Sequence, residues 1–373
     1  MKKLLLILLC LPVIGFGQEW TYGGINDDYG NSIQQTIDGG YIICGTTLSF
    51  SINRDIYLIK VDVNGNEIWT KTLGDLGNDY GYSVQQTNDG GYIVCGTTED
   101  LNGDKNVFLV KIDGNGNNLW SKTFGGSEYD EGISVKQTTD GGYIIAGVTF
   151  SFGNGPGDVY IIKTDDDGNE LWNKTFGGPG YDYGYSVQQT SNGGYVISGG
   201  TDSENGGDIY LIKTDDNGDS LWTITIGGNS EDYSYSVQQT TDGGYIIAGS
   251  TNSFGNGDSD VYLIKTDGSG NELWNKTFGG SEYDEGYSVQ QTTDGGYIIA
   301  GSTNSIGNGN SDVYLIKTDG NGNVTSTFNI PLNSNRKLEK IVDILGKETK
   351  SQTNTPLIEI YDEGSTEKKI IIE

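Results

Sequence analysis

The chain has 373 residues, a formal net charge of −29, 60 glycines, 24 tyrosines and no histidine. So acidic a surface repels phosphate backbones and argues against nucleic acid as a partner. The missing histidine excludes a Ser-His-Asp or Cys-His nucleophile and any histidine metal site, while the recurrent Ile, Val and Tyr exclude a disordered chain.

Residues 1–17, MKKLLLILLCLPVIGFG, read as a secretory signal. Lys2 and Lys3 form the charged start. The apolar core over 4–14 is too short to span a bilayer, and Gly15 and Gly17 suit a cleavage site. No other stretch is long and apolar enough for a membrane helix. Cleavage would leave Cys44 and Cys95, which occupy the repeat position held elsewhere by Ala146, Ser198, Ala248 and Ala300. Equivalent positions in packed sheets lie roughly 10 Å apart, so two free thiols in a small buried slot are expected.

From residue 18 to about 330 the chain repeats. SVQQTTDGGYIIAGST occurs twice, from Ser236 and from Ser288, and equivalent serines stand at Ser32, Ser83, Ser134 and Ser186, at intervals of 50 to 52 residues. Such a period is the mark of a repeat architecture. Each period holds four short β-forming runs: a (YSVQQT), b (GYIIAGST), c (DVYLIKTD) and d (ELWNKTF). TTDGG joins a to b as a tight turn, and TDGSGNE-like segments join c to d. Nothing before Pro331 shows a helical period.

Four antiparallel strands per repeat make one propeller blade. The fold expected is all-β, a six-bladed propeller over 18–330 with a short C-terminal β segment; seven blades is the alternative. There are six a–b–c sets but seven d-like segments, because 18–24 supplies one at the start and 323–330 a degraded one without its Trp. The first d segment is expected to complete the last blade and close the ring, removing exposed edges.

DDDGNELWNKTFGG, from Asp165, resembles the tryptophan-docking blades of quinoprotein-type propellers within the wider class of secreted bacterial propeller repeats. That resemblance implies that Trp20, Trp69, Trp120, Trp172, Trp222 and Trp274 pack between blades, each against a glycine of its neighbour. It implies no quinone cofactor. Residues 331–373 change character. KIVDILGKETK and PLIEIYDEGSTEKKIIIE, with Asp343, Leu345, Gly346, Lys347, Tyr361, Asp362, Gly364, Lys368, Lys369 and Ile370, resemble the C-terminal sorting signal of type IX secretion substrates in Bacteroidetes. The resemblance implies secretion machinery as a partner, and an extracellular or outer-surface location. A small β appendage on the propeller is the plainer reading.

Carboxylates are the positive chemical signal. Asp28, Asp79, Asp130, Asp182, Asp232 and Asp284 share one repeat position before strand a, where they would ring one mouth of the channel. Neighbouring unscreened charges at ~8 Å would repel by roughly 2 kcal/mol at an effective dielectric near 20. Either each caps its own d–a turn, or the ring holds a cation, for which oxygen ligands suit Ca²⁺. A second series, Asp62, Asp113, Asp165, Asp215, Asp267 and Asp319, reads as c–d hairpin turns, since no distal glutamate completes a calcium loop. Acid groups such as Glu128/Asp130/Glu131 and Glu282/Asp284/Glu285 repeat too regularly for a single catalytic pair. The b–c loops vary most. With the d–a loops they gather Phe50, Tyr129, Phe152, Tyr181, Phe254 and Tyr283 among short polar residues, a face suited to glycans or peptides.

The function expected is therefore a non-catalytic extracellular or cell-surface binding propeller, for glycan or protein. A polysaccharide-acting enzyme and a purely structural propeller are the alternatives.

Overall fold

The computed structural model describes residues 20–325, apart from 204–205 and 308–309, and three further strands near the C-terminus. The signal segment, and most of the segment resembling a sorting signal, lie outside the described residues.

The architecture is the expected one: six antiparallel sheets arranged as a six-bladed β-propeller, all-β, not seven blades. Blade 1 comprises β1 (Asp28–Gln35), β2 (Tyr41–Thr47), β3 (Asp55–Val61) and β4 (Glu67–Leu73). Blade 2 comprises β5 (Asp79–Gln86), β6 (Tyr92–Glu99), β7 (Lys105–Ile112) and β8 (Asn118–Phe124). Blade 3 comprises β9 (Asp130–Gln137), β10 (Tyr143–Thr149), β11 (Asp158–Thr164) and β12 (Glu170–Phe176). Blade 4 comprises β13 (Asp182–Gln189), β14 (Tyr195–Ser203), β15 (Gly206–Thr214) and β16 (Ser220–Ile226). Blade 5 comprises β17 (Asp232–Gln239), β18 (Tyr245–Thr251), β19 (Asp260–Thr266) and β20 (Glu272–Phe278). Blade 6 comprises β21 (Asp284–Gln291), β22 (Tyr297–Thr303) and β23 (Asp312–Thr318), three strands among the described residues. Within each blade the strands pair in chain order, a–b–c–d. A separate unit, 324–373, carries a three-stranded antiparallel sheet of β24 (Leu338–Asp343), β25 (Leu357–Tyr361) and β26 (Thr366–Lys369).

Strands b and c are buried on both faces in the interior blades, which explains their unbroken apolar runs. Strand d alternates, and Leu171 and Leu273 remain exposed on its outer side. The core lies between blades. Ile144, Ala146, Val159 and Ile161 of blade 3 meet Val187, Tyr195, Ile197 and Ile212 of blade 4. Burying each such side chain is worth about 1.5–3 kcal/mol. The slot position is fully buried in blades 1 to 5, though Ala300 of blade 6 is exposed; Cys44 and Cys95 are free thiols sealed in it, and burial pushes both thiol pKa values up. Each faces a glycine of the next blade, Gly81 or Gly132. Where the slot holds Ser198, the next blade has Ser234, and the two hydroxyls bond at 2.8 Å.

The repeated S-[IV]-Q-Q motif welds blade to blade. Between blades 1 and 2, Ser32 Oγ accepts the Val84 N–H (3.3 Å), and Gln34 Oε1 accepts the Gln86 N–H (2.5 Å). Gln86 Oε1 reaches back to the Ile37 N–H in the preceding a–b turn (2.8 Å). The same three bonds recur between blades 2 and 3, 4 and 5, and 5 and 6. At about 1 kcal/mol per bond, each junction fixes the stagger of innermost strands more than it adds bulk stability.

The DGGY motif carries a second device. Lys60 on strand c is buried, and its ammonium bonds Asp38, Thr36 Oγ1 and the Val61 carbonyl. A Cβ on the second glycine, Gly40, would stand 2.2 Å from that carbonyl oxygen and 2.8 Å from Lys60 Nζ. The first glycine, Gly39, has a φ of 83°, which favours glycine. Ion pairs recur at Lys111–Asp89, Lys163–Asp140, Lys265–Asp242 and Lys317–Asp294. The motif's tyrosine receives the preceding blade's tryptophan: Trp69–Tyr92, Trp120–Tyr143, Trp172–Tyr195, Trp222–Tyr245 and Trp274–Tyr297 lie 5.8 to 6.0 Å apart. Each tryptophan also covers a c–d turn glycine, as Trp172 covers Gly218.

At the seam the expectation is met in part. Trp20 occupies the same seat on Gly65 of blade 1, and the Tyr22 hydroxyl donates to the Gly65 carbonyl at 2.6 Å. Residues 20–24 form no strand, so the expected ladder to blade 6 is not made by them. Correspondingly Ile33 is 65 % exposed and Val313 88 %, whereas their interior counterparts Val187 and Val159 are buried.

Blade 4 departs from the ion-pair pattern: Asn192 replaces the aspartate, and buried Lys213 bonds the Thr214 carbonyl, with its pKa lowered by burial. Asn192→Asp should supply the missing partner and raise stability at pH 7 by about 0.5 kcal/mol, the carboxylate being partly solvent-screened. In the intact pairs, the Thr36 hydroxyl and then Lys60 hold the Asp38 carboxyl at about 2. A carboxylate so depressed contributes stability above its unfolded pKa of about 3.9 and loses it as pH falls through the folded value. The gain from Asn192→Asp should therefore vanish between about pH 4 and pH 2. Thermal melts of the two proteins across that range check it; a gain surviving at pH 2 would have another origin.

Candidate functional site

The first strands of successive blades touch one another, so strand a is innermost and its residues border the central channel. At the start of each lies one of the six predicted aspartates. They are dispersed, one per blade. Asp79, Asp130, Asp182, Asp232 and Asp284 are buried at 0–1 % exposure, and each caps its own d–a turn. The Gly24 N–H donates to Asp28 Oδ2 (2.8 Å), Asp75 to Asp79 (3.0 Å), Gly126 to Asp130 (2.7 Å), Gly178 to Asp182 (2.8 Å), Gly228 to Asp232 (2.8 Å) and Gly280 to Asp284 (2.9 Å). Serine hydroxyls of the b–c loop, Ser49, Ser151, Ser253 and Ser305, add a second donor. The local account thus describes these aspartates. Among the described residues no three His, Cys, Asp or Glu side chains come together as potential metal ligands. The c–d aspartates likewise close their own turns: Asp62 accepts from the Asn64 and Asn66 N–H groups and from the Asn66 amide.

Electrostatic strain sits one layer out. The first residue of strand c stands beside the capping aspartate of the next blade. A Cβ on Gly177 would contact both Asp158 Oδ1 (2.3 Å) and Asp182 Oδ2 (2.4 Å). Burial pushes the Asp182 carboxyl up, and Asp158 pushes it the same way. In blade 2 the position holds Asn106, next to Asp130, so an amide fits. A raised acid pKa means the charged pair costs stability above it, and protonation relieves that cost. Asp158→Asn should therefore stabilise the protein at pH 7 by on the order of 1 kcal/mol, with the gain shrinking as pH falls toward 4. Melting curves at pH 7 and pH 4 decide it: an equal gain at both would remove the electrostatic account.

The predicted aromatic face divides. Phe50, Phe152 and Phe254 are half-exposed and each leans on its own blade, against Tyr57 (5.3 Å), Tyr160 (5.8 Å) and Tyr262 (5.6 Å). Tyr283 is exposed at the rim. Tyr129 and Tyr181 are brought together through Phe150, at 5.4 and 6.1 Å. From Tyr181 a continuous path of rings runs inward: Tyr183 (6.4 Å), Tyr185 (5.8 Å), Tyr235 of blade 5 (5.7 Å) and Tyr287 of blade 6 (5.6 Å). Two glutamates neighbour tyrosine hydroxyls on this surface. Tyr287 donates to Glu285 Oε2 at 2.6 Å, Glu285 also acts on Tyr235, and Glu131 acts on Tyr82 and Tyr129. Burial, then Glu131, pushes the Tyr82 and Tyr129 pKa values up, so these hydroxyls stay protonated. Lys105 stands 5.4 Å from both the Tyr80 and Tyr129 rings, a cation–π contact at the rim.

The sequence reading missed the tyrosine path and Phe150. The path's signal was present as two variable columns on an otherwise uniform strand: Tyr29, Tyr80, Glu131, Tyr183, Tyr233, Glu285 and Asn31, Tyr82, Ile133, Tyr185, Tyr235, Tyr287.

No protein-family model matches the chain, and no curated protein matches its sequence. Solved structures share its fold. A puromycin hydrolase S511A mutant complexed with PGG aligns with a TM-score of 0.51 at 12 % identity, over 89 % of this chain and 50 % of that one. Sqt1 from Chaetomium thermophilum aligns with a TM-score of 0.46 at 11 % identity, over 91 % and 81 %. The acylaminoacyl peptidase of Pyrococcus horikoshii gives 0.45 at 11 %, over 93 % and 52 %. At such identities the likeness is one of propeller fold, which hosts binding proteins and enzymes alike. Among the described residues no helix is long and apolar enough to cross a membrane.

Proposed function

We propose that this protein is an exported, non-catalytic binding propeller whose ligand is a carbohydrate lying along the tyrosine path. The observation that carries the reading is the unbroken run Tyr181–Tyr183–Tyr185–Tyr235–Tyr287 from rim to innermost strands. Sugar rings present apolar C–H faces that stack on aromatic rings and hydroxyls that need fixed donors and acceptors. The tyrosine hydroxyls and Glu131 and Glu285 supply both. Each glutamate neighbours two tyrosines, which favours holding a ligand over transferring a proton. A glycan-array screen of the propeller should return specific binders. Tyr185→Ala and Tyr235→Ala should each weaken binding about tenfold, the worth of one aromatic contact of about 1.4 kcal/mol. Binding indifferent to both substitutions would sink the path as the site; sugar release from a bound polymer would move the protein to the enzyme class.

Export rests on the charged and apolar start at 1–17 and on the sorting-like motifs in 331–373, whose strands belong to a unit separate from the blades. Deleting 331–373 should trap the protein in the periplasm, read by fractionation and immunoblot. Normal appearance of the truncated chain in the medium would refute this.

A further inference from the structure

The first glutamine of each S-[IV]-Q-Q motif forms a level of the channel: Gln34, Gln85, Gln188, Gln238 and Gln290, with Lys136 in the sixth place. Four of these amides have a dictated orientation. Gln34, Gln85, Gln188 and Gln238 each accept a backbone N–H from the next blade, at 2.5 to 2.6 Å, and only the carbonyl oxygen can accept. Their acceptor is therefore occupied, and what remains is the NH₂ group. Among the described residues those Nε2 groups donate to nothing. All four side chains are half-buried rather than sealed.

Lys136 breaks this series. With no carbonyl at that place, the Gln189 N–H receives no equivalent bond, and the blade 3–4 junction keeps only its other two. Among the described residues the Lys136 ammonium has neither hydrogen bond nor ion pair, and burial lowers its pKa. In a chain of net charge −29, a partly desolvated ammonium without a counter-ion is costly. The carboxylates on its own strand, Asp130 and Glu131, lie six and five residues away, roughly 16–20 Å along the strand. Four amide N–H groups and one cation thus belong to this level of the channel, with Gln290 the one amide whose orientation no such bond dictates.

We infer that this collar is an anion site, centred on Lys136, which takes the carboxylate of an acidic sugar. A carboxylate accepts from several donors at once and would restore the missing counter-charge. The choice of a sugar rests on the carbohydrate reading above; the choice of an anion does not.

Calorimetric titration with D-glucuronate, acetate and D-glucose tests it. Glucuronate and acetate should bind the intact protein, glucuronate more tightly, and glucose should bind far more weakly than glucuronate. Lys136→Gln restores the residue of the other five repeats, so it should fold, and it should weaken both anions at least tenfold. Gln188→Glu places an acceptor in the collar while keeping an oxygen for the Gln239 N–H, and should do the same. Undiminished anion binding in either variant, or no anion binding at all, overturns the proposal. Oligosaccharides binding equally well with and without a carboxylate would overturn the collar and leave the carbohydrate reading. Acetate bound through Lys136 without any sugar binding would do the reverse.

Discussion

Each blade hands side-chain oxygens to the next blade's innermost backbone, and the rest of the molecule follows from that geometry. A serine hydroxyl and a glutamine carbonyl satisfy N–H groups that the innermost strand cannot pair within its own sheet, and a second glutamine carbonyl reaches back to the preceding blade's a–b turn. The bonds set the stagger between blades, so the apolar faces of strands b and c meet in register. Only then can tryptophan from strand d reach the tyrosine and turn glycine of its neighbour. A residue on strand a must therefore satisfy its own sheet and the adjoining one together. That double demand is why SVQQT varies so little while the residues just before it vary freely.

The buried lysine works at the opposite end of the blade. It neutralises the DGG aspartate, ties strand c to the a–b turn, and forbids a side chain at the second glycine. A lysine buried in an acidic protein is stable here because three oxygens surround it. Blade 4 shows the consequence of losing one of them, in the depressed pKa of Lys213.

Departures from the repeat are where individual character resides. Some are compensated within the fold: Ser198 in the slot is answered by Ser234, and Asn106 relieves a charge pair that Asp158 and Asp182 retain. Others are not. Glu131, Glu285 and the tyrosines between them make the channel unlike itself from one side to the other. Lys136 gives up a junction bond with no structural return. Uncompensated departures on a strand otherwise held uniform are the ones that point to a ligand.

Period, strand number, turn chemistry and tryptophan docking were all legible in the sequence, because each is local or repeats at a fixed distance. Six copies of S-[IV]-[QK]-Q-T and DGGY define six blades wherever the ring sits in space. The capping role of Asp130 and its equivalents was legible as one of two options, and the folded chain shows the turn N–H group that each one accepts. The junction bonds, the lysine–aspartate pairs and the tyrosine path could not be read from one repeat alone. The pairs join residues 22 or 23 positions apart in one blade, and the junction bonds and the Tyr185–Tyr235–Tyr287 part of the path join residues of different blades, whose meeting depends on how far each sheet is turned against the next. Ring closure lies between the two. The sequence supplied Trp20 for blade 1, and folding seated it on Gly65. A tryptophan's seat needs only one neighbouring surface, whereas a strand ladder needs blade 6 alongside as well.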